Sequence, residues 1–374
     1  MTLPGLRGRA SWWAAALVVV LAASPTLVLF QGIVWKDVLF ANFVVAGFVC
    51  VAHAVLGWSR VRRRWLQLLV SAVLFALAMS IRQNGLVMVV GAAASLGLAI
   101  QPARGVRTAW AWGLGWLAMV ILLAGLAGHL AHPRAAGADK AFATGLRILQ
   151  HYDVVAVAAR DPATDLAVIA AAMPQAAALI KAQAASVYSP ERIDFFDRSQ
   201  ELGPALWKTP ASVMRAQWLE VVQHQTGAYL AHRWDAFVWV FFTPEPERCL
   251  PIFVGVTGPA EKLAGLDLAA RLSPKDLALG RYAPAYLGTP AYSHAFFAIL
   301  ALVVAALLLV RREPPDVVVA GLLLSSLAFA ASFFAISIAC DCRYLYALDL
   351  AAVVGALYLA LDPPRFGAPG GAKT

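Results

Sequence analysis

The chain has 374 residues, of which 61% are apolar and only 14% carry a charged side chain, and its formal net charge is +9. Soluble domains carry roughly 25% charged residues, so this composition argues against a soluble protein. The arginines fall mainly in short clusters between long apolar runs, a pattern that encodes membrane topology rather than nucleic-acid binding. The sequence therefore predicts a membrane protein that does not bind nucleic acid.

Windows of about 20 apolar residues are long enough to cross the hydrocarbon core of a bilayer. A signal peptide is the alternative for the first window, because Ala22-Ala23-Ser24 is similar to a cleavage site, but Pro25 directly after it is unfavourable for cleavage. The third and fourth windows are the shortest, and a re-entrant pair is the alternative there. The eight windows lie near residues 11–30, 38–58, 65–81, 85–100, 108–131, 294–310, 316–339 and 345–361.

The cations fall at every second connection between these windows. They are Arg7 and Arg9, Arg60 and Arg62 to Arg64, Arg104 and Arg107, Arg311 and Arg312, and Arg365 and Lys373. All lie on one side if there are eight spans, and the positive-inside rule makes that side cytoplasmic. Both termini are then predicted to be cytoplasmic. The richness in Ala, Leu, Val and Arg points to a bacterial source, and so to the bacterial inner membrane.

The segment 132–293 is too long for a simple loop, so it is expected to have structure of its own. Helices are predicted over Ala163–Ala185 and Pro210–Trp239. The predicted fold is an all-α membrane protein with about eight transmembrane helices and one large, mostly helical periplasmic segment. Its parts are an N-terminal transmembrane bundle (1–131), a periplasmic domain (132–293), a C-terminal transmembrane bundle (294–362) and a disordered cytoplasmic tail (363–374).

Three of the four cysteines, Cys249, Cys340 and Cys342, fall on the predicted outer side. An oxidising compartment permits a disulfide there. We predict that Cys249 pairs with Cys342 or with Cys340, and free thiols are the alternative. The Cys-x-Cys spacing is too short for an easy internal bridge and too poor in ligands for a zinc site, so the sequence implies no metal.

Lys36 and Asp37 open the second window, at the boundary with lipid. An ionised pair in that position costs free energy unless the charges are solvated, paired or part of a functional site. Asp37 is a candidate general base and Lys36 a candidate phosphate contact. The alternative is that Lys36 reaches the headgroups while Asp37 caps the helix.

Arg82 and Arg343 also face the predicted outer side, against the positive-inside pattern. The guanidinium group is the cation best shaped for bidentate contact with a phosphate, so both are candidate phosphate ligands. Asn84 and Tyr344 follow them and are candidate substrate contacts. The alternatives are a tight turn capped by Asn84 and a simple pair between Arg343 and Asp341.

The large segment holds several polar clusters, among them Tyr152-Asp153, Tyr188–Asp194 and Tyr229–Trp234. The His-Arg-Trp part of the last cluster suits stacking on a sugar or holding an anion, so Arg233 is a candidate substrate contact. A solvated surface is the alternative for each cluster. The sequence shows no Gly-rich phosphate loop, no nucleophile elbow and no histidine cluster with metal spacing.

These features together resemble the GT-C superfamily of multi-span glycosyltransferases, which includes the protein mannosyltransferase and aminoarabinose transferase branches. The shared pattern is an outward Lys-Asp that opens a span, an outward Arg-x-Asn-Gly two spans later, one large outer segment and a late Arg-Tyr. The resemblance covers residues 20–100 and 330–350. It is carried most clearly by the stretches SPTLVLFQGIVWKDVLFANF and SIRQNGLVMVV.

In that family a sugar moves from a polyprenyl-phosphate donor to an acceptor at the outer face of the membrane. The resemblance implies that Lys36, Arg82 and Arg343 hold the donor phosphate, that the acceptor is a glycan or lipid of the cell envelope, and that no cofactor is needed. The family usually has an acidic first outer loop ahead of its Lys-Asp element, and this chain has no such loop before Gln31. Either the chain is shortened at its N-terminus, Asp37 takes over the role of base, or activity is lost.

Two other functions stay open. A lipid or polysaccharide transporter usually needs polar groups at mid-membrane, and the predicted spans offer mainly His53. A non-catalytic membrane subunit is favoured by the missing acidic loop.

Overall fold

The computed structural model describes residues 12–33, 35–131, 138–194, 199–249 and 251–362. Across these residues the protein is helical and contains no β-strand, which confirms the predicted all-α class. Backbone pairing of the β type is limited there to two isolated bridges, Arg192 with Ala339 and Val256 with Arg271. The tail predicted to be disordered, 363–374, lies outside the described residues, as do the cations of both termini.

The described residues form seventeen α-helices. They are α1 (Trp12–Ala22), α2 (Pro25–Gln31), α3 (Lys36–Leu56), α4 (Val61–Ile81), α5 (Leu86–Arg104), α6 (Val106–Ala131), α7 (Ala138–Arg160), α8 (Ala167–Ala172), α9 (Pro174–Val187), α10 (Leu202–Lys208), α11 (Ala211–His224), α12 (Thr226–Phe242), α13 (Ala260–Ala264), α14 (Pro274–Tyr282), α15 (His294–Arg311), α16 (Pro314–Ile336) and α17 (Tyr346–Leu361).

Seven helical segments of the described residues are long and apolar enough to cross a membrane, which makes this a membrane protein. They are Lys36–Leu56, Val61–Ile81, Gln83–Arg104, Val106–Leu130, His294–Arg311, Pro314–Ile336 and Cys342–Leu361. The third and fourth predicted windows correspond to segments of 21 and 22 residues. Each is long enough to span, so the structure does not support a re-entrant pair there.

The first predicted window forms two short helices that meet at an angle of 59°. The break precedes Pro25, which disfavours helical backbone at the residue before it. Ser24 is accordingly extended, with φ −62° and ψ 122°. Among the described residues, the segments able to span a membrane number eight if this bent pair is counted as one and seven if it is not.

The chain folds into two compact units. The first unit comprises 1–128, 251–330 and 343–374, and it holds all or most of each of the seven apolar segments. The second unit comprises 129–250 and 331–342. Residues 251–293, which the sequence grouped with the large outer segment, belong to the first unit.

In the first unit, α3 and α4 are closely packed antiparallel neighbours. A Cβ atom on Gly47 would lie 2.7 Å from the Phe75 ring, so glycine is needed for this approach. The Ser71 hydroxyl donates to the Gly47 carbonyl at 3.0 Å. Close packing through small residues is typical of membrane helices, and it places the connection after α4 level with the first turn of α3.

The second unit packs α7 to α12 around an apolar core. Both helices predicted here exist, but each is broken in two. The first breaks at Met173, which precedes Pro174 and has φ −143°. The second breaks at Gln225, where φ is −123° and ψ is 37°.

Candidate functional site

The candidate site is built around the Asp37 carboxylate in the first turn of α3. Asp37 is only 2% exposed. Its Oδ1 atom accepts a hydrogen bond from Arg82 Nε at 2.5 Å. Its Oδ2 atom lies 3.4 Å from Arg343 Nε. One buried carboxylate therefore lies between two guanidinium groups that are far apart in the sequence.

Arg82 reaches Asp37 because the chain reverses direction at this residue. Helix α4 ends where Arg82 becomes extended, with φ −134° and ψ 123°, and a single 3-10 turn over Gln83–Gly85 then leads into α5. A Cβ atom on Gly85 would lie 2.8 Å from the Phe40 ring. The glycine thus allows the turn to pack against α3, which carries Asp37.

Arg343 lies in the 3-10 turn Cys342–Leu345 that precedes α17. Its guanidinium carbon is 4.4 Å from the centre of the Trp35 ring, a distance at which a cation is attracted to the aromatic face. The Tyr344 ring lies between the two arginines, 5.2 Å from the guanidinium of Arg82 and 5.7 Å from that of Arg343. Phe253 packs edge-on against Trp35 at 4.3 Å. The cations are thus bordered by aromatic rings.

Lys36 and Asn84 lie next to this cluster in the sequence. Lys36 is exposed at the start of α3, and Asn84 is half-buried in the turn after Arg82. The side chains of Arg82 and Arg343 are 11% and 29% exposed. Two cations contact one carboxylate, and a third cation, Lys36, precedes it in the sequence. The net positive charge and the part of Arg343 left open suit an anionic ligand such as a phosphate group.

The burial of Asp37 bears on its predicted role as general base. A base must lie within hydrogen-bond reach of the proton that it takes, whereas both Asp37 oxygens face guanidinium groups. The geometry therefore favours a positioning role, in which Asp37 fixes the directions of Arg82 and Arg343.

Sequence reasoning missed a polar layer beside the cluster. Gln31 donates to the Tyr346 hydroxyl at 2.9 Å and exchanges hydrogen bonds with Asn42 at 3.0 and 3.1 Å. The Nδ1 atom of His294 lies 2.9 Å from a carboxylate oxygen of Asp349, and both residues are buried. The Asp349 carboxylate thereby joins α17 to the start of α15. The sequence feature that could have indicated this polar layer is the position of these residues near the ends of apolar helices.

The second unit contains a separate buried network centred on Asp153. This carboxylate accepts from the Trp218 indole at 2.7 Å, lies 3.1 Å from His232 Nε2, and pairs with Arg233. Asp153, His232 and Arg233 are all fully buried. The alternative that these polar clusters form solvated surfaces is therefore wrong for Tyr152-Asp153 and for His232-Arg233.

Arg233 is held inside this network. Its guanidinium also donates to the Ser337 carbonyl at 2.8 Å. It thereby joins α12 to Asp153 of α7 and to the segment near residue 337, and its predicted role as a substrate contact stays a prediction. A buried charge needs several hydrogen-bond or ion-pair partners. The fork-shaped guanidinium group of Arg233 can reach more than one partner at once.

The protonation of this network can be assigned from its partners. Burial, together with the nearby Arg160 charge, lowers the pKa of His232 to about 3, so the ring is neutral. Nε2–H then donates to the Asp153 carboxylate, and Nδ1 accepts from the Tyr188 hydroxyl at 2.8 Å. Burial raises the pKa of Tyr188 to about 12, which disfavours a phenolate nucleophile. The arrangement is a structural network.

The disulfide prediction is resolved in favour of one of its two partners. Cys249 is bonded to Cys340, with 4.9 Å between their Cα atoms, and Cys342 is a buried free cysteine. The pairing of Cys249 with Cys342 is wrong because the Cys340 backbone N–H donates to the Glu191 carbonyl at 2.7 Å. That bond fixes Cys340 beside the segment that leads to Cys249, while Cys342 begins the next 3-10 turn.

No family model, curated protein or solved structure matches this chain. Within the part of the chain that the structure describes, no group of three His, Cys, Asp or Glu side chains is placed to hold a metal ion.

Proposed function

We propose that the protein is an integral membrane glycosyltransferase that takes a sugar from a polyprenyl-phosphate donor and passes it to an envelope acceptor. The observation that supports this most is the convergence of Arg82 and Arg343 on buried Asp37. Arginines fixed in this way keep their direction when the ligand arrives, and no reorganisation is needed as charge develops.

In the proposed reaction the bond between the sugar C1 and the phosphate oxygen breaks, and a bond from C1 to the acceptor oxygen forms. The acceptor proton passes to a base, and polyprenyl phosphate departs with the bonding electrons. Negative charge therefore grows on the phosphate oxygens, next to Arg82 and Arg343. Lys36 adds a third cation, and the rings of Trp35 and Tyr344 offer faces on which a sugar or a prenyl chain can pack.

The proposal includes a location. The cluster is assigned to the periplasmic face of a bacterial inner membrane, with both termini cytoplasmic. The support is the distribution of cations: Arg60 to Arg64, Arg104 and Arg107 lie at the opposite ends of α4 and α5 from Arg82.

A non-catalytic subunit that binds the same lipid phosphate is the second candidate. It is favoured by the burial of Asp37, which leaves the described part of the cluster without an assigned base. A binding subunit would use the same arginines and the same aromatic border.

The test is complementation of cells from which the chain has been deleted, read out by mass spectrometry of their envelope glycans. Wild type and Arg312→Ala, a matched arginine change far along the sequence, are expected to restore the missing glycan. Arg82→Ala and Arg343→Ala are each expected to lower it by about 10²-fold or more, the scale seen when a group that stabilises transition-state charge is removed. Immunoblots confirm equal amounts of each variant. Full restoration of the glycan by both arginine variants would rule out the proposed transferase. Loss of a partner protein from the membrane in both variants would favour the non-catalytic subunit.

A further inference from the structure

A cavity of about 410 Å³ lies between α4 and α6, in the first unit. Its wall is almost entirely apolar and includes Trp65, Leu68, Trp112, Gly115, Trp116 and Met119. Trp65 is 51% exposed, so the groove is open on one side. Since both helices are long enough to span a bilayer, the open side faces lipid chains.

The two helices run in the same direction past this groove. The rings of Trp65 and Trp112 are 5.0 Å apart, and four residues further along α6 the Trp116 indole donates to the Leu68 carbonyl at 3.1 Å. The start of α4, at Val61, is therefore level with the start of α6. The partial positive charge of both helix N-termini falls at the same end of the groove.

Six arginines lie at that end: Arg60, Arg62, Arg63, Arg64, Arg104 and Arg107. The sequence contains no Asp or Glu between Asp37 and Asp139. Among the described residues, the ion pairs formed by carboxylates involve none of these six arginines. This end of the groove thus has a large positive charge that neighbouring side chains do not neutralise.

Arg64 joins the charged end to the apolar wall. Its guanidinium carbon is 4.6 Å from the centre of the Trp58 ring and 5.0 Å from that of Trp112. One guanidinium nitrogen donates to the Trp58 carbonyl at 2.9 Å, while Nε is buried without a hydrogen-bond partner in the described residues. The stacking holds the Arg64 guanidinium over Trp112, one of the rings that line the apolar groove.

We propose that this groove binds one anionic phospholipid, with its headgroup phosphate at Arg64 and Arg107 and an acyl chain along the tryptophans. Basic pockets between membrane helices on the cytoplasmic side recognise anionic headgroups, and tryptophan is favoured at the level of the headgroups. The site is separate from the Asp37 cluster, because Arg60 precedes the first residue of α4 and Arg82 follows its last. It is independent of the proposed transferase activity.

Native mass spectrometry of the full chain tests the proposal, after exchange in detergent into equal amounts of phosphatidylglycerol and phosphatidylcholine. Wild type is expected to retain one phosphatidylglycerol per chain in preference to phosphatidylcholine. The double variant Arg64→Gln/Arg107→Gln is expected to bind phosphatidylglycerol about thirtyfold more weakly. The reason is that each cation near an anionic headgroup raises the affinity roughly fivefold. Arg312→Gln removes one positive charge from another connection and should leave retention unchanged.

A second pair of variants tests the apolar part of the site. A Cβ atom on Gly115 would meet nothing within 4 Å, and the same holds for Gly125 on the same helix. Gly115→Leu fills the groove and should abolish retention, while Gly125→Leu should not. Equal retention by these two variants, equal binding of phosphatidylcholine by wild type, or displacement of the lipid by millimolar inorganic phosphate would overturn the proposal.

Discussion

The ion pair between Asp37 and Arg82 determines whether the cluster keeps its shape. Asp37 is 2% and the Arg82 side chain 11% exposed, so neither charge is well solvated. Removing one partner of a buried pair costs about 3–5 kcal/mol, mainly because the other charge is left uncompensated. The cluster therefore depends on both residues, and their effects on stability should be coupled.

We predict that Asp37→Ala and Arg82→Ala each lower the free energy of unfolding, and that the double variant costs less than the two single variants together. The coupling energy is expected to be about 1–3 kcal/mol, as for residues in one ion-pair network. Unfolding in mixed micelles measures it, with exposed Arg62→Ala as the control. Strict additivity would mean that the two side chains do not act as a pair.

Two buried histidines make the second unit sensitive to acid. Burial lowers the pKa of His151 and of His232 to about 3, from an ordinary value of 6.5, with smaller contributions from Arg147 and Arg160. The unfolded chain therefore binds protons that the folded chain does not as pH falls below 6.5. Stability is fully present above pH 6.5 and is lost progressively towards pH 3.

We predict that hydrogen-exchange protection of α7 and α12, corrected for intrinsic exchange rates, is constant above pH 7 and decreases between pH 6.5 and 5. The slope should approach about 1.4 kcal/mol per pH unit for each histidine. His232→Gln should remove about half of it. A flat profile between pH 7 and 5 would show that these histidines are not buried in the neutral form.

At the scale of helices, α5 and α16 pack through a matched pair of small-residue motifs. Gly91 and Ser95 lie four residues apart on α5, as do Gly321 and Ser325 on α16. A Cβ atom on Gly91 would collide with the Ser325 side chain, and one on Gly321 would collide with that of Ser95. Each glycine thus receives the serine of the other helix, an arrangement typical of closely packed membrane helices.

We predict that Gly91→Leu and Gly321→Leu each destabilise the protein by about 1–3 kcal/mol, because inserted carbons force the helices apart. Gly128→Leu is the matched control, since its Cβ would meet nothing within 4 Å. Thermal unfolding in detergent distinguishes them. If all three variants unfold at the same temperature, the glycines do not set the spacing of these helices.

The helices could be predicted from the sequence far better than their breaks and contacts. Runs of about 20 apolar residues identify spans by length alone, and seven of the eight predicted windows correspond to spanning helices. The breaks at Met173 and Gln225 depend on local backbone geometry, and α7 contains too few apolar residues in its first turns to signal a helix. The matched motifs on α5 and α16 are more than 200 residues apart, so only the folded structure pairs them.

Among the side chains, too, some roles could be predicted from the sequence and others depend on contacts in the folded structure. Asp37, Arg82 and Arg343 were identifiable because charges are conspicuous beside apolar runs, and the structure brings them together. The Asp153 network was missed because polar residues in a segment of mixed composition are usually solvated. The burial of Arg233 and the choice of Cys340 over Cys342 depend on contacts between residues about 80 to 150 positions apart.

For the whole molecule, we propose two lipid-phosphate sites at opposite ends of α4. The Asp37 cluster at one end combines two fixed arginines with aromatic rings. The arginines at the other end border the apolar groove beside Trp112. The two sites differ in chemistry: the first should accept a prenyl-linked phosphate, and the second an anionic phospholipid.

Binding of a polyprenyl phosphate to the full chain in phosphatidylcholine nanodiscs measures whether Arg82 and Arg343 hold a lipid-linked phosphate. Wild type, Arg312→Gln and Gly115→Leu should bind equally well, whereas Arg82→Gln/Arg343→Gln should bind at least about tenfold more weakly, since hydrogen bonds to charged groups contribute roughly 1.5–3 kcal/mol each. Equal binding by wild type and by the double variant would mean that the two arginines do not hold the lipid phosphate.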